Sequence, residues 1–309
     1  MTTPLELTNF TVWGKQWFTD GWEGLRAFCE AHGLAGVELL GAGLATELPP
    51  PAELVHGVHL LSLGSWLPLA GLPVQDFGDA SGRYAELDNY EALVEARAAE
   101  LRAAAVLEPE YVVWHGSYAP DKQRLPGGRG FLTTPRILST LGALVRDVFA
   151  EYTPPFRVCF ENAYGFGVGP DAVEATGEFL GNLADFPVGL VLDVGHHLNR
   201  DRDIATPEAA CRELLRVGQE FAAGGVAVDV LHLHWTPPEL VPEDLAPGSD
   251  AGCFFEQCDQ HRPLAHPLLA EAVGAVGPQI VVHEMGAMSL EDHSAWLTEQ
   301  TTAMRGLRQ

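Results

Sequence analysis

Short apolar segments alternate with amphipathic segments along the whole 309-residue sequence. The segment 189–193 (GLVLD) shows the type, because an apolar run leads directly into an acid, Asp193. Continuous apolar runs of this length are typical of parallel strands that are buried on both faces. Eight such runs alternate with helical patterns, which predicts the α/β class and a (β/α)8 TIM barrel. The predicted strands are Leu5–Phe10, Gly36–Leu40, 57–61, Tyr111–His115, 157–162, 189–193, 229–235 and 279–284.

Local start and stop signals place the helices between these strands. Gly33 fits a C-terminal stop, and Thr134 is the predicted N-cap of a helix with Pro135 at its first position. Ser289 and Asp292 form a capping-box pattern in which Asp stands in place of Glu. The predicted helices are Trp22–His32, 87–106, 134–150, 171–184, 206–221, 267–276 and 289–307.

The sequence shows no repeat, linker or low-complexity tract, so we expect a single TIM-barrel domain over 1–309. The segment 236–263 has no clear periodicity and is too long for an ordinary connection, so it is interpreted as a lid or binding loop over the barrel mouth. An open doubly wound sheet is the alternative. It is disfavoured because no Gly-rich fingerprint follows an early strand.

Charge and cysteine content limit the partners and the compartment. The chain has 18 basic and 42 acidic residues, a formal net charge of -24. This field repels phosphate backbones and anionic membrane surfaces, so we expect a small-molecule substrate, no nucleic acid and no membrane partner. The oligomeric state stays open. Five scattered cysteines and no signal-peptide pattern indicate reduced thiols in a cytoplasmic protein.

Metal-competent side chains stand at the ends of six consecutive predicted strands, the third to the eighth. In a TIM barrel these carboxyl ends meet at one rim, where the active site lies. The long loop adds a D-x-H pair, Asp259 and His261. The nine candidate metal ligands are five histidines and four acids: His59, His115, Glu161, Asp193, His196, His232, Asp259, His261 and Glu284.

Each candidate also has an ordinary structural interpretation: His59 as a core histidine, Glu161 as the partner of an arginine, Asp193 as the cap of the following turn. Six consecutive strand ends would each need a separate structural explanation, so the metal interpretation is favoured. Imidazole and carboxylate ligands suit divalent Mn, Fe, Zn or Co. One ion takes about four to six ligands, so nine predict two or three ions, with Glu161 placed to bridge two of them.

Other residues near the mouth are candidates for contact with substrate. His234 alternates with His232 onto the same strand face, so it is interpreted as a supporting or substrate-binding residue. Trp66, Asn162 and Trp235 are further substrate-binding candidates. His283 is expected to point into the packing behind the sheet.

These motifs together resemble the xylose isomerase-like TIM-barrel superfamily, which includes sugar isomerases, epimerases and the endonuclease IV type of nuclease. The resemblance covers nearly the whole chain and rests on GVHLL, VVWHGS, VCFEN, LVLDVGH, LHLH, DQH and VVHE. It implies that one set of residues matches the four-ligand core of the epimerases: Glu161, Asp193, His232 and Glu284. It implies that a second set matches the extra ligands of the trinuclear nuclease: His59, His115, His196, Asp259 and His261. Iron-dependent oxidases that modify peptides carry a comparable set.

The sequence departs from two members of that superfamily. The nuclease needs basic loops that contact DNA, and this chain is acidic; xylose isomerase uses a lysine near its metals, and none is evident here. We therefore expect a metal-dependent isomerase or epimerase of a sugar-like compound, with Glu161 and Glu284 as the catalytic residues that move a proton. The alternatives are a di- or tri-iron oxidase acting on a small molecule or peptide, a metal-dependent hydrolase, and a binding protein without activity.

Overall fold

The computed structural model describes residues 3–41, 50–60, 66, 69–71, 87–116, 133–163, 167–199, 201, 203–240 and 259–306, without the side chains of 12, 13 and 15. Eight parallel strands form a closed barrel in chain order, with β1 paired to β8. The predicted (β/α)8 fold is thus confirmed. The strands are β1 (Leu5–Phe10), β2 (Gly36–Leu40), β3 (Val55–His59), β4 (Tyr111–His115), β5 (Arg157–Glu161), β6 (Val188–Asp193), β7 (Val230–Leu233) and β8 (Ile280–His283).

Two strand boundaries, the end of β7 and the start of β3, differ from the predicted ones. The β7–β8 ladder ends at the pair Leu233 and His283, although Trp235 is still buried. The apolar pattern therefore overestimates β7. At β3 the strand begins two residues before the predicted start, directly after the 3-10 turn Ala52–Leu54.

Eight α-helices lie in the part of the chain that the structure describes. They are α1 (Trp22–His32), α2 (Tyr90–Ala105), α3 (Thr134–Glu151), α4 (Val173–Gly181), α5 (Val194–Leu198), α6 (Pro207–Ala223), α7 (Leu269–Val276) and α8 (Leu290–Met304).

Capping residues explain several of these helix ends. Gly33 ends α1 with φ 68°, a left-handed conformation that favours glycine. Ser289 caps α8 by accepting a hydrogen bond from the backbone N–H of Asp292. The predicted N-cap Thr134 is wrong by one residue. The carbonyl of Thr133 accepts the first intrahelical bond, from Ile137, and this defines Thr133 as the N-cap.

The barrel interior is apolar towards the amino ends of the strands, called the lower end, and polar at their carboxyl ends, called the upper end. The inward-facing apolar layer consists of Leu7, Tyr111, Val113, Cys159, Val191, Val230, Ile280 and Val282. Side chains on a strand alternate between its faces, so the next inward residue lies two positions later. On β4 that residue is His115, on β6 it is Asp193, and on β7 it is His232. The fold thus places the candidate ligands directly above a closed apolar layer.

The long segment 236–263 is described only at its two ends. Backbone hydrogen bonds of 2.9 and 2.8 Å join Trp235 and Arg262 in both directions, so the ends of this segment lie side by side. The lid interpretation concerns residues 241–258, which lie outside the described residues.

Three of the five cysteines, Cys29, Cys159 and Cys211, are buried and free; the other two, Cys253 and Cys258, also lie outside the described part. None of the described helices is both long and apolar enough to cross a membrane. The single-domain assignment stays a prediction.

Candidate metal centre

All nine predicted ligands lie in one buried cluster at the upper end of the barrel. Each is at most 8% exposed except His261, whose side chain is 18% exposed. Their donor atoms form three groups around Glu161, His232 and Asp259, which we call sites 1, 2 and 3.

Site 1 consists of His59, His115 and Glu161, whose donor atoms all lie within 4.8 Å of one another. His59 Nε2 is 3.1 Å from Glu161 Oε2, and His115 Nε2 contacts the same oxygen. The other ring nitrogen of His59 donates to the carbonyl of Leu60 at 2.9 Å. That bond orients the ring so that Nε2 faces Glu161.

Site 2 consists of Glu161, Asp193, His232 and Glu284. His232 Nδ1 is 3.1 Å from Glu284 Oε2, 3.3 Å from Glu161 Oε1 and 3.8 Å from Asp193 Oδ2. One imidazole nitrogen thus faces three carboxylates. Glu161 presents one oxygen to site 1 and the other to site 2, which is the arrangement expected of a bridging carboxylate.

Site 3 consists of His196, Asp259 and His261. Asp259 Oδ2 is 3.4 Å from His196 Nε2 and 3.1 Å from His261 Nε2. His196 Nδ1 donates to the carbonyl of Asn162 at 2.9 Å, so Nε2 faces Asp259. His261 has φ 47°, a left-handed conformation that costs energy for a non-glycine residue.

At the strand end that carries Asp193, the chain continues directly into a short helix that was not among the predicted helices. His196 belongs to α5, a helix of five residues that is too short to show a hydrophobic period. Asp193 caps it, with Oδ1 accepting from the backbone N–H of His196. The structural and the ligand interpretations of Asp193 are therefore compatible, because Oδ2 still faces His232 and His234.

Several buried donor atoms of this cluster have no hydrogen-bond partner among the described residues. Buried polar atoms are rarely left unsatisfied in native proteins, and each such atom calls for an explanation. Nitrogen and carboxylate oxygen donors in this number suit borderline divalent cations. The residues therefore fit divalent metal ions. The unsatisfied atoms are His115 Nδ1, His115 Nε2, Glu161 Oε1, His232 Nδ1, His234 Nδ1, Asp259 Oδ2 and Glu284 Oε2.

The charged side chains of the cluster stabilise one another, as the shifts of their pKa values indicate. Burial by itself lowers the pKa of His59, but the hydrogen bond and charge of Glu161 outweigh it and raise that pKa to about 9. His261 behaves alike: burial lowers its pKa, and Asp259 and Glu284 raise it to about 9. Burial raises the pKa of Glu161, yet His115 and His232 hold it well below its usual range. At His115 burial dominates and lowers the pKa.

Two of the predicted substrate-binding residues support the cluster. Asn162 bonds both backbone groups of Asp193 with its side-chain amide, at 2.7 and 2.9 Å. His234 is fully buried, with Nε2 2.9 Å from Asp193 Oδ2, and stacks on His261 with ring centroids 3.8 Å apart. The donor atoms of His234, His261 and Glu284 lie within 4.8 Å of one another, so His234 is itself a possible ligand.

The two tryptophans proposed to contact substrate are buried. Trp66 packs in the core between the sheet and the helices, and its indole N–H donates to the carbonyl of Gly116 at 3.1 Å. Trp235 is 3% exposed and holds the base of the long segment through its backbone. Their contact with substrate stays a prediction. His283 points behind the sheet, as expected, and bonds Glu6.

The sequence interpretation missed Glu38 on β2. This carboxyl group is fully buried, and its Oε2 is 3.1 Å from His232 Nε2. The available signal was an acid in the middle of an otherwise apolar strand, GVELL, which is unusual unless the acid has a buried partner. Asn199 was also missed; it donates to Asp259 Oδ1 at 3.0 Å.

Comparison with solved structures identifies the fold. Endonuclease IV from Thermus thermophilus superposes with a TM-score of 0.53 at 18% identity, covering 98% of each chain. A xylose isomerase domain containing protein from Salmonella typhimurium gives 0.52 at 14% identity, covering 98% of this chain and 96% of its own. The 3-keto-D-glucoside 4-epimerase from E. coli gives 0.51 at 13% identity, covering 98% of this chain and 100% of its own.

No protein-family model and no curated protein sequence matches the chain. The structural likeness covers nearly the whole chain. The protein therefore has the fold of the xylose isomerase-like TIM barrels, as the sequence resemblance predicts.

Proposed function

We propose that the protein is a divalent-metal-dependent enzyme that isomerises or epimerises a sugar-like hydroxy-carbonyl compound by proton transfer. The observation that carries this proposal is site 2, where one histidine nitrogen faces three carboxylates. Three of the four donor atoms, on Glu161, His232 and Glu284, have no hydrogen-bond partner among the described residues. A bound divalent ion would polarise adjacent substrate oxygens and make a neighbouring carbon-bound proton more acidic.

The protein's own contribution is to position and accept that proton. Glu161 and Glu284 both face His232 Nδ1, at 3.3 and 3.1 Å. Burial opposes ionisation of each, but the surrounding histidines lower the pKa of both carboxyls, so each is ionised at neutral pH and can accept a proton. Two carboxylates at one centre allow removal at one position of the substrate and return at another.

The fold and the charge of the chain both support a small-molecule substrate. One protein of similar fold is a sugar epimerase, the 3-keto-D-glucoside 4-epimerase from E. coli. The net charge of -24 repels the phosphates of nucleic acid, which argues against the activity of the nuclease of similar fold.

Deuterium incorporation tests the proposal. The protein loaded with Mn²⁺ or Co²⁺ is incubated in deuterated water with aldoses, ketoses and keto-glycosides, and carbon-bound deuterium is measured by mass spectrometry. We expect exchange with at least one sugar. Its absence with every sugar, while the metal is bound, would overturn the epimerase assignment.

A multinuclear oxidase or hydrolase is the second candidate, and a specific observation favours it. Sites 1 and 3 supply five ligands beyond the four of site 2, which an epimerase does not need. Elemental analysis of protein purified without chelator separates the two. One Mn²⁺ or Co²⁺ per chain supports the epimerase, whereas two or three iron ions per chain, with oxygen consumption on addition of substrate, support the oxidase. Two or three Zn²⁺ ions support the hydrolase.

A further inference from the structure

A buried hydrogen-bonded group lies beneath site 2, and neither the ligand set nor the proposed chemistry accounts for it. Glu38 Oε2 accepts a hydrogen bond of 2.7 Å from the hydroxyl of Tyr111 and faces His232 Nε2 at 3.1 Å. Glu38 and His232 are both 0% exposed, and Tyr111 is 2% exposed. A buried carboxyl group is costly unless it is well bonded, so its retention here calls for a reason.

The two nitrogens of His232 face different surroundings. Nδ1 points at the carboxylates of site 2, where Glu284 is 3.1 Å away, and Nε2 points at Glu38. A neutral imidazole carries one N–H group, and the other nitrogen provides a lone pair. The carboxylate of Glu38 accepts the N–H, so the proton belongs on Nε2 and the lone pair on Nδ1. Only this tautomer can bind a cation at site 2.

Gly57 on β3 leaves the space that the side chain of Tyr111 occupies. A Cβ atom at Gly57 would overlap the ring and the hydroxyl of Tyr111. Glycine on β3 therefore lets the ring of Tyr111, which lies on β4, reach Glu38 on β2. The adjacent strands β2, β3 and β4 thus together hold the carboxylate of Glu38 next to the imidazole of His232.

We propose that Glu38, held by Tyr111, is a positioning residue that fixes the tautomer and ring orientation of His232 and strengthens Nδ1 as a donor to a divalent ion at site 2. Carboxylates that accept the second N–H of a metal-binding histidine commonly have this effect, and their loss weakens metal binding by about 10–100-fold. The inference rests on the proposed metal dependence.

Glu38 also has a competing role as a direct ligand. Its Oε1 has no hydrogen-bond partner among the described residues, and donor atoms of Glu38, His59 and His232 lie within 4.8 Å of one another. A positioning residue and a direct ligand differ in what their loss does to the number of ions bound, and the experiment is chosen on that basis.

The test is titration of the full-length, metal-free protein with Co²⁺, followed by visible absorption, which reports the ligands of the ion, and by elemental analysis. Glu38→Gln keeps the size of the side chain and removes its charge; Tyr111→Phe removes only the hydroxyl. Glu6→Gln, which changes a buried carboxylate behind the sheet, is the matched control. Circular dichroism verifies that each variant is folded.

We expect Glu38→Gln to bind as many Co²⁺ ions as the wild type, with one of them about 10–100-fold weaker and with a shifted absorption band. Tyr111→Phe shows a smaller weakening of the same ion, and it decides the question if Glu38→Gln does not fold. Unchanged affinity and spectrum in the folded variants overturn the inference. The loss of one whole ion from Glu38→Gln also overturns it, because Glu38 is then a ligand. A wild-type protein that binds no Co²⁺ contradicts the proposed function instead.

Discussion

Histidines and acids form two groups on opposite faces of the same sheet, and their hydrogen bonding differs. Behind the sheet lies the outer network, which consists of Glu6, His283, Gln300 and Arg305. His283 Nε2 is 3.2 Å from Glu6 Oε2, and its Nδ1 accepts from Gln300 Nε2 at 2.9 Å. Arg305 donates to both oxygens of Glu6, at 3.1 and 2.8 Å. The polar side-chain atoms of Glu6 and His283 thus all have partners.

The metal centre inside the barrel also consists of histidines and acids, but several of its polar side-chain atoms have no hydrogen-bond partner among the described residues. His232 Nδ1 lies 3.3 Å from Glu161 Oε1 and 3.1 Å from Glu284 Oε2, and none of the three atoms has a hydrogen bond among the described residues. A histidine beside an acid therefore does not by itself mark a metal site. The distinguishing property is a set of buried donors that converge on one point and leave one another unsatisfied.

Removal of the bridging carboxylate is the change with the largest expected effect. The two oxygens of Glu161 face sites 1 and 2, and Glu161→Gln removes the charge and replaces one of these oxygens by an NH2 group, so the side chain can no longer bridge the two sites. We expect the chain to lose at least one metal ion and the proton-exchange rate to fall by roughly 10²–10⁴-fold, the range of one acid–base group. Elemental analysis and deuterium exchange measure the two effects.

Glu6→Gln is the matched control from the outer network. It removes a charge that bonds Arg305, so we expect a loss of stability of roughly 1.5–3 kcal/mol and full metal content. If both variants keep their metal, the distinction between the two groups is wrong.

The pH dependence of stability separates the two groups next. In the metal-free protein the pKa values of His59 and His261 are raised to about 9 from an ordinary 6.5. A raised pKa means that the stabilisation is complete below pH 6.5 and is lost as the pH rises through about 9. We expect the metal-free protein to lose stability over this window, on the order of 3 kcal/mol for each histidine.

The outer network has the opposite dependence. Burial raises the pKa of Glu6, but His283 and Arg305 together lower it by more than burial raises it, so the pKa lies below the ordinary value of 4.5. Its contribution is present above pH 4.5 and is lost as the pH falls through the lowered pKa. Thermal unfolding with chelator and with saturating metal, from about pH 2 to about pH 10, measures both. Bound metal keeps the histidines deprotonated, so an alkaline loss of equal size in the loaded protein would contradict this account.

The smallest expected effect comes from a glycine that supports the centre. A Cβ atom at Gly195 would overlap the ring of His234, which lies against Asp193. Gly195→Ala is therefore expected to destabilise the protein by about 1–3 kcal/mol and to weaken metal binding by displacing that ring. Gly181→Ala is the control, because a Cβ there meets nothing within 4 Å at the last residue of α4. Equal unfolding midpoints and metal affinities for the two variants would show that the close approach at Gly195 has no consequence.

The barrel itself was largely predictable because its strands and helices carry local signals. Continuous apolar runs on β4 and β6 place His115 and Asp193 at strand ends, and parallel strand ends meet at one rim. The helices with clear caps, α1 and α8, begin and end within one or two residues of their predicted positions, apart from the last turn of α8. The short helix α5 was missed because five residues do not make a period.

Much about this protein therefore follows from its linear order of residues: the eight-fold alternation, the identity of nine candidate ligands, and a net charge of -24. The tertiary structure alone decides which donors share a site, because Asp259 and His196 are 63 positions apart and meet at 3.4 Å only when the barrel closes. It also decides that Glu38 contacts His232 inside the barrel while Glu6 accepts hydrogen bonds from Arg305 behind the sheet. Each acid stands between two apolar residues of its strand, and only the direction of the side chain, inward or outward, distinguishes them.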